Sequence, residues 1–426
     1  MKRTGLKGTL SLFLVFVYVL SFSVLLTSNL FAAERPDRDY ILIGHPNPST
    51  GKVGAFGEVS PWVDDEIVAA INAEGGIYIK EYGKKMPIKV KVVDVQSSST
   101  ITADVTTKLI LEDKVDMIVV MHTPDIVIPA SMVCEKFNIP CIVTNCPTDA
   151  WTSAANYKWV YDIFWNYQTA AEVHTGLWKK FEGQTNKVVG AFATDDIAAK
   201  MWIAPNIKIA KEMGYKVVEA LDIPGSTTDY SAIAELFKKE KAEIFIGNTV
   251  LPVFSQAWKQ FNLMGYKPKF ASIARAMLFP SAVETLGENA DGIAVEIWWH
   301  PEFPFKSSLN GMSAKEFANA YENKAGKQWN MALGFVHAAF EVAIDSLKRA
   351  GTLDKEKINQ AIRETDLDTI VGHIRFNKDQ YCLTPIVGGQ WTKGTKWPWE
   401  LKIISNDGHP EIPLTGELMF PLPGSK

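Results

Sequence analysis

The chain has 426 residues, 47% of them hydrophobic and 22% charged, with a formal net charge of −4. A mildly acidic balance argues against work on nucleic acid, which needs a basic field to displace counterions. The length suits two domains better than one.

In chain order, the first feature is a cationic start, MKRTGLK, followed by the apolar stretch LSLFLVFVYVLSFSVLL and the small-residue ending SNLFAAE. This reads as a secretory signal peptide over residues 1–33, cleaved near Ala33. The competing reading is an uncleaved membrane helix, because about 17 to 20 apolar residues just span a bilayer. Cleavage removes Lys2, Arg3 and Lys7 and no acid, which takes the formal charge to −7. The expected location is the periplasm. Of the four cysteines, Cys134, Cys141 and Cys146 fall close together and Cys382 stands apart. Buried free thiols and a Cys134–Cys141 link both fit that spacing. No spacing resembles a zinc site, the seven histidines are scattered, and no cofactor is expected.

From residue 39 onward, short apolar runs alternate with segments of helical period. DYILIGHP, MPIKVKVVDV, VDMIVVM, IPCIVTN, NKVVGAFAT, KVVEALDI, AEIFIGN and KPKFASI read as buried strands. TADVTTKLILED, VIPASMVCEKF, AAKMWIAPNIKIAKEMG, DYSAIAELFKKEKA and VFSQAWKQFNLMG read as the helices between them. Such alternation predicts an α/β protein with parallel sheets. Small polar loops (GHPNPSTG, DVQSSST, MHTPD, TNCPTD, ATDD, GNTVLP) follow the strands, at the carboxyl ends where open α/β sheets bind ligands. After GIAVEIWWHPEFPF helices dominate, and a short β region runs from VGHIRF through GGQWTKG to WELKII.

The glycine loop with its following INAEGGI, then VDVQSSST, IPASMVCEKFNIPCI, DYSAIAELFKKEKAEIFIGN and finally VGHIRFNKDQ, in that order, resembles the type I periplasmic binding proteins of the branched-chain amino-acid transport family. The resemblance covers nearly the whole chain after residue 33. It implies two doubly wound parallel-sheet lobes joined by three crossover strands, KWVYDIF, GIAVEIWW and HIRF. Lobe one would hold residues 38–160 and 299–373, and lobe two residues 161–298 and 374–426. It also implies a monomer that closes on a small-molecule solute and delivers it to an inner-membrane ABC permease.

Gly51, Gly54 and Gly57 do not form a phosphate loop, because Gly57 is followed by Glu58 and Val59 rather than by Lys and a hydroxyl residue. They are expected instead to let the backbone approach a solute, with free N–H groups at the start of the next helix. By the resemblance Phe56 walls the pocket, or else packs beneath the loop. His122 and Thr123 follow the third strand, where the family holds a carboxylate. Thr123 can donate, and His122 is either structural or a cationic anchor. Thr144 and Cys146, in a loop that also offers Asn145, would line the cleft; Cys146 lacks the partners of a nucleophile. On the other lobe stand Tyr167, Asp195, Asn248 and Arg275.

Amino-acid-binding members carry a Tyr-Gly pair and an acid where this chain has Ile197-Ala198 and Ala274-Arg275. An arginine there repels an ammonium group and attracts a carboxylate, so the expected solute is an organic acid, aromatic ones included. Asp195 keeps the amino-acid reading open as a counter-ion. Trp165, Trp298 and Trp299 either stack on the solute or pack the hinge. Two other classes compete: a sensor presenting its ligand to a membrane receptor, and an exported hydrolase, for which G-x-S-x-G, H-E-x-x-H and clustered histidines are all missing.

Overall fold

The computed structural model describes residues 38–425. The expected signal peptide lies outside the described residues. Within them, no helix is long and apolar enough to cross a membrane.

The chain runs β1 (Ile41–Asn47), α1 (Ser60–Ala73), β2 (Ile77–Ile79), β3 (Lys84–Met86), β4 (Ile88–Asp94), α2 (Ser99–Leu111), β5 (Met117–Met121), α3 (Pro124–Phe137), β6 (Cys141–Thr144), α4 (Thr148–Ala154), β7 (Val160–Ile163) and α5 (Tyr167–Lys179). It continues through β8 (Val188–Thr194), α6 (Ile197–Glu212), β9 (Lys216–Ile223), α7 (Ser231–Lys239), β10 (Ile244–Thr249), α8 (Leu251–Leu263), β11 (Phe270–Arg275), α9 (Pro280–Leu286) and β12 (Ala294–Ile297). The last elements are α10 (Ala314–Ala325), α11 (Ala332–Ala350), α12 (Lys355–Arg363), β13 (Asp366–Thr369), β14 (Gly372–Arg375), β15 (Tyr381–Cys382), β16 (Val387–Lys393) and β17 (Trp399–Ser405).

Two sheets result. The first has the order β15-β7-β6-β5-β1-β4, and all its pairings are parallel. The second has the order β17-β16-β12-β11-β10-β8-β9, with β16 and β17 added antiparallel to a parallel run. Strands such as β5 and β6 are buried at every residue, as unbroken apolar runs must be when helices cover both faces. One face of the first sheet carries α1 and α11, and the other carries α2, α3 and α4 around a smaller core that includes Leu42, Val120, Val143 and Trp151.

Of the expected crossing strands, β7 lies in the first sheet and β12 in the second, while β14 pairs with β13 in a separate two-stranded ribbon. Residues 381–382 were expected in lobe two, yet they extend the first sheet. Tyr381 and Cys382 pair with Asp162 and Ile163, and Gln380 reaches in to donate from Nε2 to the Val160 carbonyl at 3.0 Å. All four cysteines are buried and free.

The glycine loop packs against its own chain. A Cβ on Gly57 would stand 2.6 Å from the Pro48 carbonyl oxygen and 2.9 Å from the Asn47 amide, and one on Gly51, at φ +89°, would stand 2.7 Å from Ser97 Oγ. The close approach expected toward a solute is therefore made to the loops after β1 and β4.

Candidate functional site

The carboxyl ends of both sheets converge on one cavity. From the first sheet come Phe56, after β1, Thr123 and Pro124, after β5, Asn145, after β6, and Phe164 and Trp165, after β7. From the second come Trp202 on α6, Asn248 at the end of β10, Ala274 and Arg275 at the end of β11, and Glu296 and Trp298 at β12. Tyr167 enters at the first turn of α5, whose start is fixed by a capping box between Asn166 and Thr169.

The backbone at these strand ends is strained. Thr123 (φ 70°, ψ 147°), Asn145 (φ 59°) and Arg275 (φ 56°) all have positive φ without being glycine. Each such residue costs about 1–3 kcal/mol and persists only where its surroundings hold it. Here the loops hold one another: the Thr123 N–H donates to the Asn145 carbonyl at 2.9 Å, and the His122 N–H to the Thr144 carbonyl at 3.2 Å.

The charged end is built around Arg275. Its Nε donates to Asn248 Oδ1 at 2.6 Å and its Nη2 to Asp196 at 2.9–3.0 Å. Asp196 also caps α6, accepting from the Ala199 N–H at 3.0 Å, and takes a hydrogen bond from the Thr194 hydroxyl at 2.7 Å. Burial pushes the Asp196 carboxyl up, but Arg275, Thr194 and the Ala199 N–H outweigh it and hold it below the usual carboxylate range. The guanidinium is therefore oriented by a neighbour that already offsets part of its charge.

The walls are aromatic: Phe56, Phe164, Trp165, Tyr167, Trp202 and Trp298. Among the described residues, Thr123 Oγ1, both side-chain polar atoms of Asn145, and the indole N–H groups of Trp165, Trp202 and Trp298 have no hydrogen-bond partner. Buried polar groups are normally paired, and an indole N–H can only donate. This cluster of donors suits a guest rich in acceptor oxygens. The cavity measures about 40 Å³, against the roughly 150 Å³ that accommodates a benzene ring. A ring-sized guest therefore requires the walls to move apart.

Of the residues expected from sequence, Phe56, Thr123, Tyr167, Asn248 and Arg275 line this cavity, and His122, Thr144, Cys146 and Asp195 do not. His122 lies behind Phe56, its Nε2 3.3 Å from Ser60 Oγ. Burial, with a contribution from nearby His45, pushes its pKa well down, so it is neutral and no cationic anchor. Thr144 is still within β6, paired with Met121; the next residue, Asn145, is the one that reaches the cavity. The Cys146 thiol is pushed up by burial and then by the carboxyls of Asp162, Asp149 and Asp125, the opposite of what a nucleophile needs. Asp195 is exposed; the acid that pairs with Arg275 is its neighbour Asp196.

Sequence reasoning did not single out Trp202, Phe164 or Glu296. Trp202 carries no signal, since it fits the apolar period of α6. Glu296 does carry one: it is the lone acid in the run GIAVEIWW. Trp298 and Trp299 separate, the first lining the cavity and the second packing over Gly334, where a Cβ would come within 2.3 Å of the indole.

A family model described as periplasmic binding protein matches residues 41–396. Among solved structures, the leucine-binding protein LivK of Thermotoga maritima aligns with a TM-score of 0.73 at 19% identity, over 86% of this chain and 99% of that one. The branched-chain amino acid transporter substrate-binding protein LivJ of Streptococcus pneumoniae, in complex with isoleucine, aligns with a TM-score of 0.68 at 18% identity, over 86% and 99%. An extracellular ligand-binding receptor from Rhodopseudomonas palustris HaA2 aligns at 0.66 and 21% identity, over 85% and 99%.

Proposed function

The chain belongs to the periplasmic binding protein family, whose members hold solutes rather than transform them, and on that premise we propose that it captures a small carboxylate-bearing solute for an ABC uptake transporter. The observation that carries this reading is the cavity at the convergence of the two sheets. Arg275 there stands beside six aromatic walls and a set of unpartnered N–H donors.

In this reading the two sheets, with their covering helices, are lobes that part and close. A solute that touches Phe56, Thr123 and Asn145 on one side and Tyr167, Asn248 and Arg275 on the other binds the closed arrangement better than the open one, and so shifts the population toward it. The closed form is what an inner-membrane permease would recognise, after export of the chain to the periplasm as a monomer. No bond is made or broken.

Fold relatives bind leucine or isoleucine. In this chain Arg275, with Asn248 bound to its Nε, favours a carboxylate over an ammonium group, and the aromatic walls favour a planar body. The test is a thermal-shift panel of aromatic acids, dicarboxylic acids and the branched-chain amino acids. Stabilisation by aromatic or dicarboxylic acids is the expected result. A response to leucine, isoleucine or valine alone would overturn the acid reading.

A further inference from the structure

We propose that Glu296, positioned by His174, makes the site selective for acids that carry a hydrogen-bond donor, a hydroxyl or amino group, in addition to the carboxylate. This rests on the reading of the cavity as an acid-binding site. It goes beyond that reading by assigning the solute a second polar group.

Glu296 is 1% exposed in the middle of β12, and across the strand pair it faces Gly388, which has no side chain to meet it. His174, fully buried on α5, approaches instead, with Nε2 2.8 Å from Glu296 Oε2. The other ring nitrogen, Nδ1, has no partner. An imidazolium would bury an N–H at Nδ1 with nothing to accept it. The neutral ring, with its proton on Nε2, leaves only a lone pair unmet. The ring thus donates from Nε2 to Oε2, and the other carboxyl oxygen is left to the cavity. Among the described residues, Glu296 Oε1 takes no hydrogen bond, although a carboxylate has about four acceptor positions.

An unmet carboxyl oxygen in a cavity walled by Phe164, Trp202 and Trp298 is costly unless a donor meets it. The Trp202 ring packs edge-on against His174 at 5.0 Å, which fixes the imidazole. Arg275 is engaged elsewhere, with Asp196 and Asn248. The missing donor is thus supplied by the guest. A site built to hydrogen-bond a particular group rejects the analogue lacking it, because its buried polar atom is then left unpaired.

The experiment is calorimetric titration of the wild-type protein with benzoate, 4-methoxybenzoate, 4-hydroxybenzoate and 4-aminobenzoate, repeated with phenylacetate and its 4-hydroxy and 4-amino counterparts. Donor-bearing acids are expected to bind at least tenfold tighter than benzoate, phenylacetate or the methoxy analogue. Glu296→Gln should erase that difference. His174→Phe should shrink it and His174→Gln, which keeps a donor toward Glu296, should restore part of it. Melting temperature serves as the folding control. Equal binding of donor-bearing and donor-free acids by the wild type overturns the proposal and leaves the acid reading standing, whatever the variants do. A preference that survives Glu296→Gln also overturns it. Failure of every acid to bind overturns the acid reading itself, and this proposal with it.

Discussion

Asp196→Asn tests the electrostatics of the site: it removes one charge together with the Oδ2 acceptor that Arg275 and Thr194 meet, and keeps the capping oxygen. Asparagine caps a helix as well as aspartate does, so the bond from the Ala199 N–H and the start of α6 are retained. What changes is the field at Arg275. A solute carboxylate bound to the guanidinium would sit about 6 Å from Asp196, where two like charges at an effective dielectric of about 20 repel by roughly 3 kcal/mol. The Asp196 side chain is 36% exposed, and solvent at such a position reduces the effect to about 1 kcal/mol. Removing the repulsion should therefore raise affinity for an acid about fivefold. Titration calorimetry of wild type and variant with the most stabilising acid of the thermal-shift panel, at low and high salt, measures it. The gain should shrink as salt screens the interaction. A loss of affinity in the variant would refute the reasoning, since it would mean that Asp196 serves the solute directly, as a counter-ion to a positive group.

Two further outcomes test the scaffold. Gly57→Ala places a methyl group 2.6 Å from the Pro48 carbonyl, so it should destabilise the protein by about 1–3 kcal/mol; an unchanged melting temperature would show that the loop yields freely. His300 is held neutral: burial lowers its pKa to about 4 despite the help of the Leu401 carbonyl, and its Nδ1 accepts from the Glu302 N–H at 3.1 Å. Because the folded pKa lies below the unfolded 6.5, its contribution is present above about pH 6.5 and lost as pH falls through about 4, a change of about 3 kcal/mol. Glu341, pushed up by burial to about 7, works in the opposite direction, losing its contribution as pH rises through that value. The wild-type curve therefore has to be compared with that of His300→Gln, which should flatten the acid slope between pH 6.5 and 4; identical slopes would count against the assignment.

The alternation of strands and helices was legible because parallel strands buried on both faces are unbroken apolar runs, as in MIVVM and CIVT. The loops that carry the site were legible from their small polar composition. Which residue of a loop faces the cavity was not. Thr144 and Asn145 differ by one position, yet Thr144 remains in the ladder and Asn145, at φ 59°, turns out of it. Asp195 and Asp196 are likewise neighbours, and only the capping bond to Ala199 decides which one meets Arg275. Backbone angles at strand ends and contacts between residues far apart in sequence, such as His174 with Glu296, leave no trace in a local pattern. The glycine loop misled for a related reason: its spacing announces a close approach but not what is approached.

The chamber's 40 Å³ also bears on kinetics. If the lobes part and close as proposed, a ring-sized guest fits only when they part, so the frequency of parting would limit its arrival and the next parting its departure. Substitutions that loosen the seam without touching the lining would then speed departure and, because the guest favours the closed arrangement, raise the dissociation constant.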